Sequence, residues 1–183
     1  MAAIGLCYVV SAPLNEDGKT YGTGFVVGEA IKASINIATA GAKLYADDKL
    51  SESDDGFVSG TLGLGVADIL EENKDTMLGH TTTEGEDGEM VANVNDSAPN
   101  MGVGFYSTVM RKGKRKYRAI WLKKGKFVEP SEELKTKEGS TTFTTPEITF
   151  NFEANDDGDW KNEKLCNTAA EAVTYLKTKA NIK

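Results

Sequence analysis

A chain of 183 residues that is 39% hydrophobic and 27% charged is long enough to bury one real core and is not composed like a disordered chain. Its net charge of −7 argues against a protein that grips nucleic acid, which needs a dominant basic surface to neutralise phosphates. No apolar run approaches the roughly 20 residues of a membrane-spanning helix.

Met1 to Val10 is apolar but has no basic residue ahead of it. It is therefore not read as a signal peptide, and folding in a cytoplasm is expected. The pattern that follows is mostly of period two, the mark of half-buried strands. Leu6–Val10 leads to Asn15-Glu16-Asp17-Gly18, where Asp-Gly favours a hairpin, and a second strand is expected over Tyr21 to Val27. Ile31, Ala33, Ile35 and Ile37 then alternate with Lys32, Ser34 and Asn36, the cleanest amphipathic strand in the chain. One of its faces belongs to a core, the other to water or a lumen.

Residues 47–56 carry Asp47, Asp48, Glu52, Asp54 and Asp55 and read as a long acidic loop, of a length that is disproportionately functional. A strand resumes from Phe57 to Leu64. Ala67 to Leu78 then shifts to helical spacing, with Asp68, Glu71 and Glu72 in the first turns, where the helix dipole favours anions. A hairpin around residues 84–88 is followed by two long strands, Met101–Met110 and Lys116–Lys123, about a turn at Gly113. Strands Thr141–Thr145 and Glu147–Phe152 are separated by Pro146, which lacks an amide donor. A last helix, Ala169 to Lys179, opens with Thr168-Ala169-Ala170-Glu171, a capping-box pattern. The fold class expected is mainly β with flanking helices, in one domain over 1–183, with 155–183 as a C-terminal helical extension.

The search for chemistry returns no catalytic set. The single histidine, His80, reads as a loop or cap residue without a nucleophile to serve. Cys7 and Cys166 lack CxxC neighbours and read as buried free thiols. The acidic glycine turns fail the EF-hand spacing: with Gly158 as the turn glycine, position twelve is Lys164, and with Gly56 it is Leu62. A looser calcium site at Asp156, Asp157 and Asp159 is the alternative. Gly60, Gly63 and Gly65 match neither phosphate-loop pattern. No enzyme activity, cofactor or metal is expected.

Charge is the stronger signal. Nine of the 21 basic residues fall in the sixteen positions from Arg111 to Lys126. A nucleic-acid reading would use Tyr117 and Trp121 as stacking platforms, but alternation puts them with Ala119 on one face, better read as core. An acidic loop and a basic hairpin are also what a self-assembling subunit would display on opposite surfaces. Such complementary charge fixes register, and head-to-tail contacts build rings or filaments.

Four sequence islands carry a family look. Lys116-Tyr117-Arg118, Trp121-Leu122, Lys124, Lys126-Phe127 and Pro130 run on to Thr136-Lys137, Phe143, Thr145-Pro146 and Ile148. They follow Leu44-Tyr45-Ala46-Asp47-Asp48 and Leu64-Gly65-Val66-Ala67-Asp68-Ile69. In this order, over roughly residues 4 to 152, they resemble the major tail proteins of long-tailed phages and prophages with flexible, non-contractile tails. Nothing after about Asn155 belongs to the resemblance.

The resemblance implies a β-sandwich or open barrel flanked by a helix. It also implies a structural virion protein that forms hexameric rings, with neighbouring sheets joined into an inner barrel and the rings stacked into a tail tube. Genome DNA passes through the lumen without specific binding, no membrane is involved, and the other partners are tape-measure and tail-tip or terminator proteins. The inter-strand loop 47–56 would contact adjacent subunits or rings. Asp47, Asp48, Glu52, Asp54 and Asp55 would there meet Arg111, Lys112, Lys114 and Arg115 of a neighbour. Ser34, Asn36, Ser59 and Thr61 are the lumen-facing candidates. The alternative is a β-sandwich decoration or binding module attached to a virion surface.

Overall fold

The computed structural model describes residues 3–46, 49–69, 71–82, 89–130 and 147–183. Strand β1 (Ala3–Pro13) is followed by β2 (Phe25–Gly28), β3 (Ala30–Thr39), β4 (Ala42–Ala46), β5 (Lys49–Asp54) and β6 (Phe57–Val66). Helix α1 (Glu71–Leu78) leads to the short β7 (Thr81–Thr82) and β8 (Met90–Val91), then to the long β9 (Met101–Arg111) and β10 (Lys114–Val128). Strands β11 (Glu147–Glu153) and β12 (Lys161–Cys166) and helix α2 (Ala169–Lys179) complete the chain. The expected class, mainly β with flanking helices, is what forms.

The main sheet is antiparallel, in the order β2-β1-β9-β10-β11-β6-β3, with β12 also on β10. β10 joins its two halves. Tyr117 to Leu122 pair with β12, Lys124 to Val128 pair with β11, and the register against β9 slips between Leu122 and Gly125. At that slip the sheet folds over, so that Val9 and Val27 from one end of the strand order share a core with Leu62, Leu64, Ile148 and Phe150 from the other. The result is an open sandwich whose path ends at β2 and β3 without closing.

Alternation decides which side chains enter that core. The row Ile35–Leu62–Phe150–Phe127 points inward, and the next row, Asn36–Thr61–Asn151–Lys126, points outward. A second core lies on the outer face of β1, β9, β10 and β12, where α2 brings Ala172, Leu176 and Ala180 onto Val10, Ala119 and Trp121. Trp121 is fully buried because Gly102 and Gly104 make room for it: a Cβ at either would stand 2.5 Å from the indole. Its Nε1 donates to the Tyr21 hydroxyl at 3.0 Å, and that hydroxyl donates to the Lys123 carbonyl at 2.7 Å. Residues 155–183, expected as an extension, therefore supply both a strand of the sheet and the cover of the second core.

Several expectations are corrected. Residues 49–54 are not loop but strand β5, paired with β4 as a two-stranded arm. The second strand begins at Phe25 instead of Tyr21, because Asp17 caps its turn, accepting from the amides of Lys19 and Thr20, and only a single bridge, Leu14 to Tyr21, follows it. Helix α1 starts at Glu71, so Asp68 precedes it, where its carboxylate accepts from the Ile69 amide at 2.8 Å. Cys7 is exposed, while Cys166 is buried. β9 and β10 separate their strands, three spacings or roughly 14 Å, which excludes a disulfide between them. The expected hairpin at 84–88 and strand at 141–145 lie outside the described residues.

Candidate functional site: the open edge, the arm and the two ends of β10

β3 ends the strand order with one hydrogen-bonded neighbour, β6. Its polar alternation puts Ser34 opposite Gly63, Asn36 opposite Thr61 and Ala38 opposite Ser59. All four lumen-facing candidates, Ser34, Asn36, Ser59 and Thr61, thus share one solvent face. It continues through Thr149 and Asn151 to Lys126, and an open cleft of about 490 Å³ runs between Ser59, Thr61, Asn100, Asn151, Lys126 and Glu153. Charges on this face are largely neutralised in pairs: Lys32 with Glu147 at 3.5 Å and Lys124 with Glu153 at 3.1 Å. The face is polar with little net charge.

The inward alternation runs out of cover at one end. Ile37, paired with Gly60, follows the core-side register, and Val58 falls in the register shift beside it, yet the two are 50% and 56% exposed. They sit where β3 and β6 give way to the β4–β5 arm, tied at its base by the Ala40 amide donating to the Gly56 carbonyl at 2.8 Å. Below the arm, Phe57 stacks flat on Trp160 with ring centroids 4.4 Å apart. Of the acidic contact candidates, Asp55 is exposed at the arm's base, and Glu52 and Asp54 pair in register with Leu44 and Ala42. Asp47 and Asp48 lie outside the described residues.

The basic candidates form the β9–β10 turn. Lys112 and Gly113 have φ of 49° and 75°, the left-handed pair that joins twisted strands most tightly, and glycine meets this requirement at the second position without a steric penalty. Arg111, Lys112, Lys114 and Arg115 are all exposed and make no ion pair with a described residue. The rest of the basic run differs. Lys116 bonds Asn167, Arg118 lies 3.9 Å from Glu163, and Lys123 bonds Asp159. Tyr117, Ala119 and Trp121 belong to the second core, which removes them as base-stacking platforms.

The acidic turn after β11 has a structural role. Asp156 lies 3.6 Å from Lys124, Asp157 lies 3.0 Å from Lys19, and Asp159 bonds Lys123. Each carboxylate of the alternative calcium site thus neutralises a lysine. The side-chain bond raises the Lys19 pKa, as the Glu153 bond raises that of Lys124.

Sequence reasoning missed the histidine's partners. His80, its side chain only 8% exposed, bonds Asp96 Oδ2 through Nδ1 and Glu129 Oε2 through Nε2, each at 2.9 Å. Carboxylates only accept, so both ring nitrogens carry protons and the clasp holds an imidazolium. The Asp96 bond, then the Glu129 bond, raise the His80 pKa; the Asn93 amide, then His80, lower that of Asp96. The partners lie 16 and 49 residues away, and no local spacing could have signalled them. The clasp ties the end of α1, the turn at 93–96 and the end of β10 into one unit. The sequence matches no protein-family model and no curated protein.

Proposed function

We propose that the chain is a structural virion protein, the major tail tube subunit of a long-tailed, non-contractile phage or prophage. It self-assembles into stacked hexameric rings that conduct genome DNA. The observation that carries the reading is the unfinished edge of the sandwich. A ten-residue strand, approached by β1 over part of its length, ends the sheet, core-side Ile37 and the neighbouring Val58 stand exposed beside it, and an arm prolongs the same pair of strands. A long open edge is an aggregation hazard that monomeric proteins blunt, whereas a ring-forming subunit completes it with the next copy's sheet.

In the ring the polar row of Ser34, Asn36, Ser59 and Thr61 lines the lumen, and its nearly neutral charge lets DNA slide without binding. The arm reaches a neighbouring subunit. α2, on the opposite side of the fold, covers the outer sheet. The sequence islands that resemble tail proteins support the same reading, and tape-measure and tail-tip proteins are the further partners it entails.

The test is negative-stain electron microscopy of concentrated protein at low and high salt. Stacked rings or hollow tubes are expected. Monomers at every concentration, including after seeding with preformed tube ends, would favour a decoration or binding module instead.

A further inference from the structure

The basic turn and the His80 clasp stand at opposite ends of the same strand. β10 runs fifteen residues from Lys114 to Val128, at most about 50 Å at 3.3 Å per residue. Glu129 follows it directly. One end presents four exposed cations and the half-exposed Met110. The other presents the Glu129 carboxylate, 62% exposed, at the end of the strand where exposed apolar side chains also stand. Met90, Val91 and Val128 are 37%, 47% and 42% exposed, and Val94 is 97% exposed.

Val94 is held out rigidly. The Asn93 amide donates to Asp96 Oδ2 at 2.7 Å, the Asp96 amide to the Asn93 carbonyl at 2.9 Å, and the Asn95 amide to Asn93 Oδ1 at 2.9 Å. His80 fixes Asp96 from behind. Val94 thus stands fully in water on a restrained turn, at the same end of the fold as the exposed Met90, Val91 and Val128.

We propose that this end of β10 is a docking surface for a second copy of the chain, and that its occupant is that copy's β9–β10 turn. The inference rests on the self-assembly reading and names the contact that stacks one subunit on the next. Exposed ion pairs contribute only about 0–1 kcal/mol each, so charge sets the register. Cover of Val94, Met90 and Val91 by Met110 and the aliphatic stems of the arginines and lysines supplies the attraction. Because donor and acceptor are different surfaces, the contact repeats without closing on itself, which is the geometry of a filament. It assigns the basic turn to this rigid end in place of the acidic arm expected from the sequence.

The experiment uses two charge-reversed proteins. In one, Arg111, Lys112, Lys114 and Arg115 are all changed to Glu; in the other, Glu129→Lys is combined with Val94→Lys. Thermal melts establish that both fold. Val94→Lys alone, at a side chain with no burial to lose, serves as the second acceptor variant should Glu129→Lys unfold the clasp. Sedimentation at low salt is expected to show association weakened by about tenfold or more for each variant alone, and restored in their equimolar mixture, where each reversed surface meets its complement. Variants that associate as the wild type does, or a mixture no better than its components, overturn the docking while leaving self-assembly standing. A wild-type protein that never associates overturns both.

Discussion

His80 is the chain's one histidine, and its two bonds make its charge part of the fold. Its pKa is raised above the ordinary 6.5, so its stabilisation is fully present below about 6.5 and is lost as pH rises through the higher folded value. Asp96 is shifted the other way, below the ordinary 3.8, and its contribution is lost as pH falls through that lowered value. The difference in melting temperature between wild type and His80→Gln should therefore be widest at about pH 5 to 6 and shrink towards alkaline pH. A difference that stayed constant across that range would contradict an imidazolium clasp. Trp121 makes the second residue-scale prediction. Gly104→Val would drive a side chain into the indole and Leu176, and should cost about 1–3 kcal/mol in denaturant unfolding. Trp121→Ala should cost about 3–5 kcal/mol. Alternation placed Trp121 in a core correctly. It could not say that the core is a separate one under α2, nor that His80 finds carboxylates 16 and 49 residues away.

Local signals were most legible where they are chemically complete. Thr168 caps α2 as its motif predicts, accepting from the Glu171 amide at 3.2 Å, although Glu171 reaches back to the Asn167 amide in place of that of Thr168. Thr168→Ala should lower stability by about 1 kcal/mol, and Thr168→Ser should restore most of it; an unchanged denaturation midpoint would mean the cap carries nothing. The β9–β10 turn was placed at Gly113, and the alternation of β3 and β6 gave both their faces. β12 and β5 lack such patterns. β12 is Lys-Asn-Glu-Lys-Leu-Cys, a polar run that forms a strand because β10 offers it an edge. β5 is acidic and reads as loop by composition, yet it is paired by the strand before it. Tertiary pairing overrode local preference in both.

At the scale of the molecule, the class was readable from period-two alternation bracketed by two helical stretches, whereas the sheet order was not. Nothing local in β10 announces that it changes partners from β12 to β11 between Leu122 and Lys124, and that change folds the sheet into a sandwich with β3 left at its edge. The proposed assembly follows from that edge, so disrupting it should act on association before stability. Ile37→Pro, at an exposed position near the end of the edge strand, is expected to block ring formation while costing little in the monomer's melt. The most direct measurement is hydrogen exchange of those amides between Asn36 and Thr39 that point away from β6, the alternate ones in an antiparallel pair, compared between dilute protein and assembled particles. Pairing of β3 with a neighbouring sheet predicts fast exchange in the monomer and strong protection on assembly. Assembled particles whose β3 amides exchange as fast as the monomer's would contradict it.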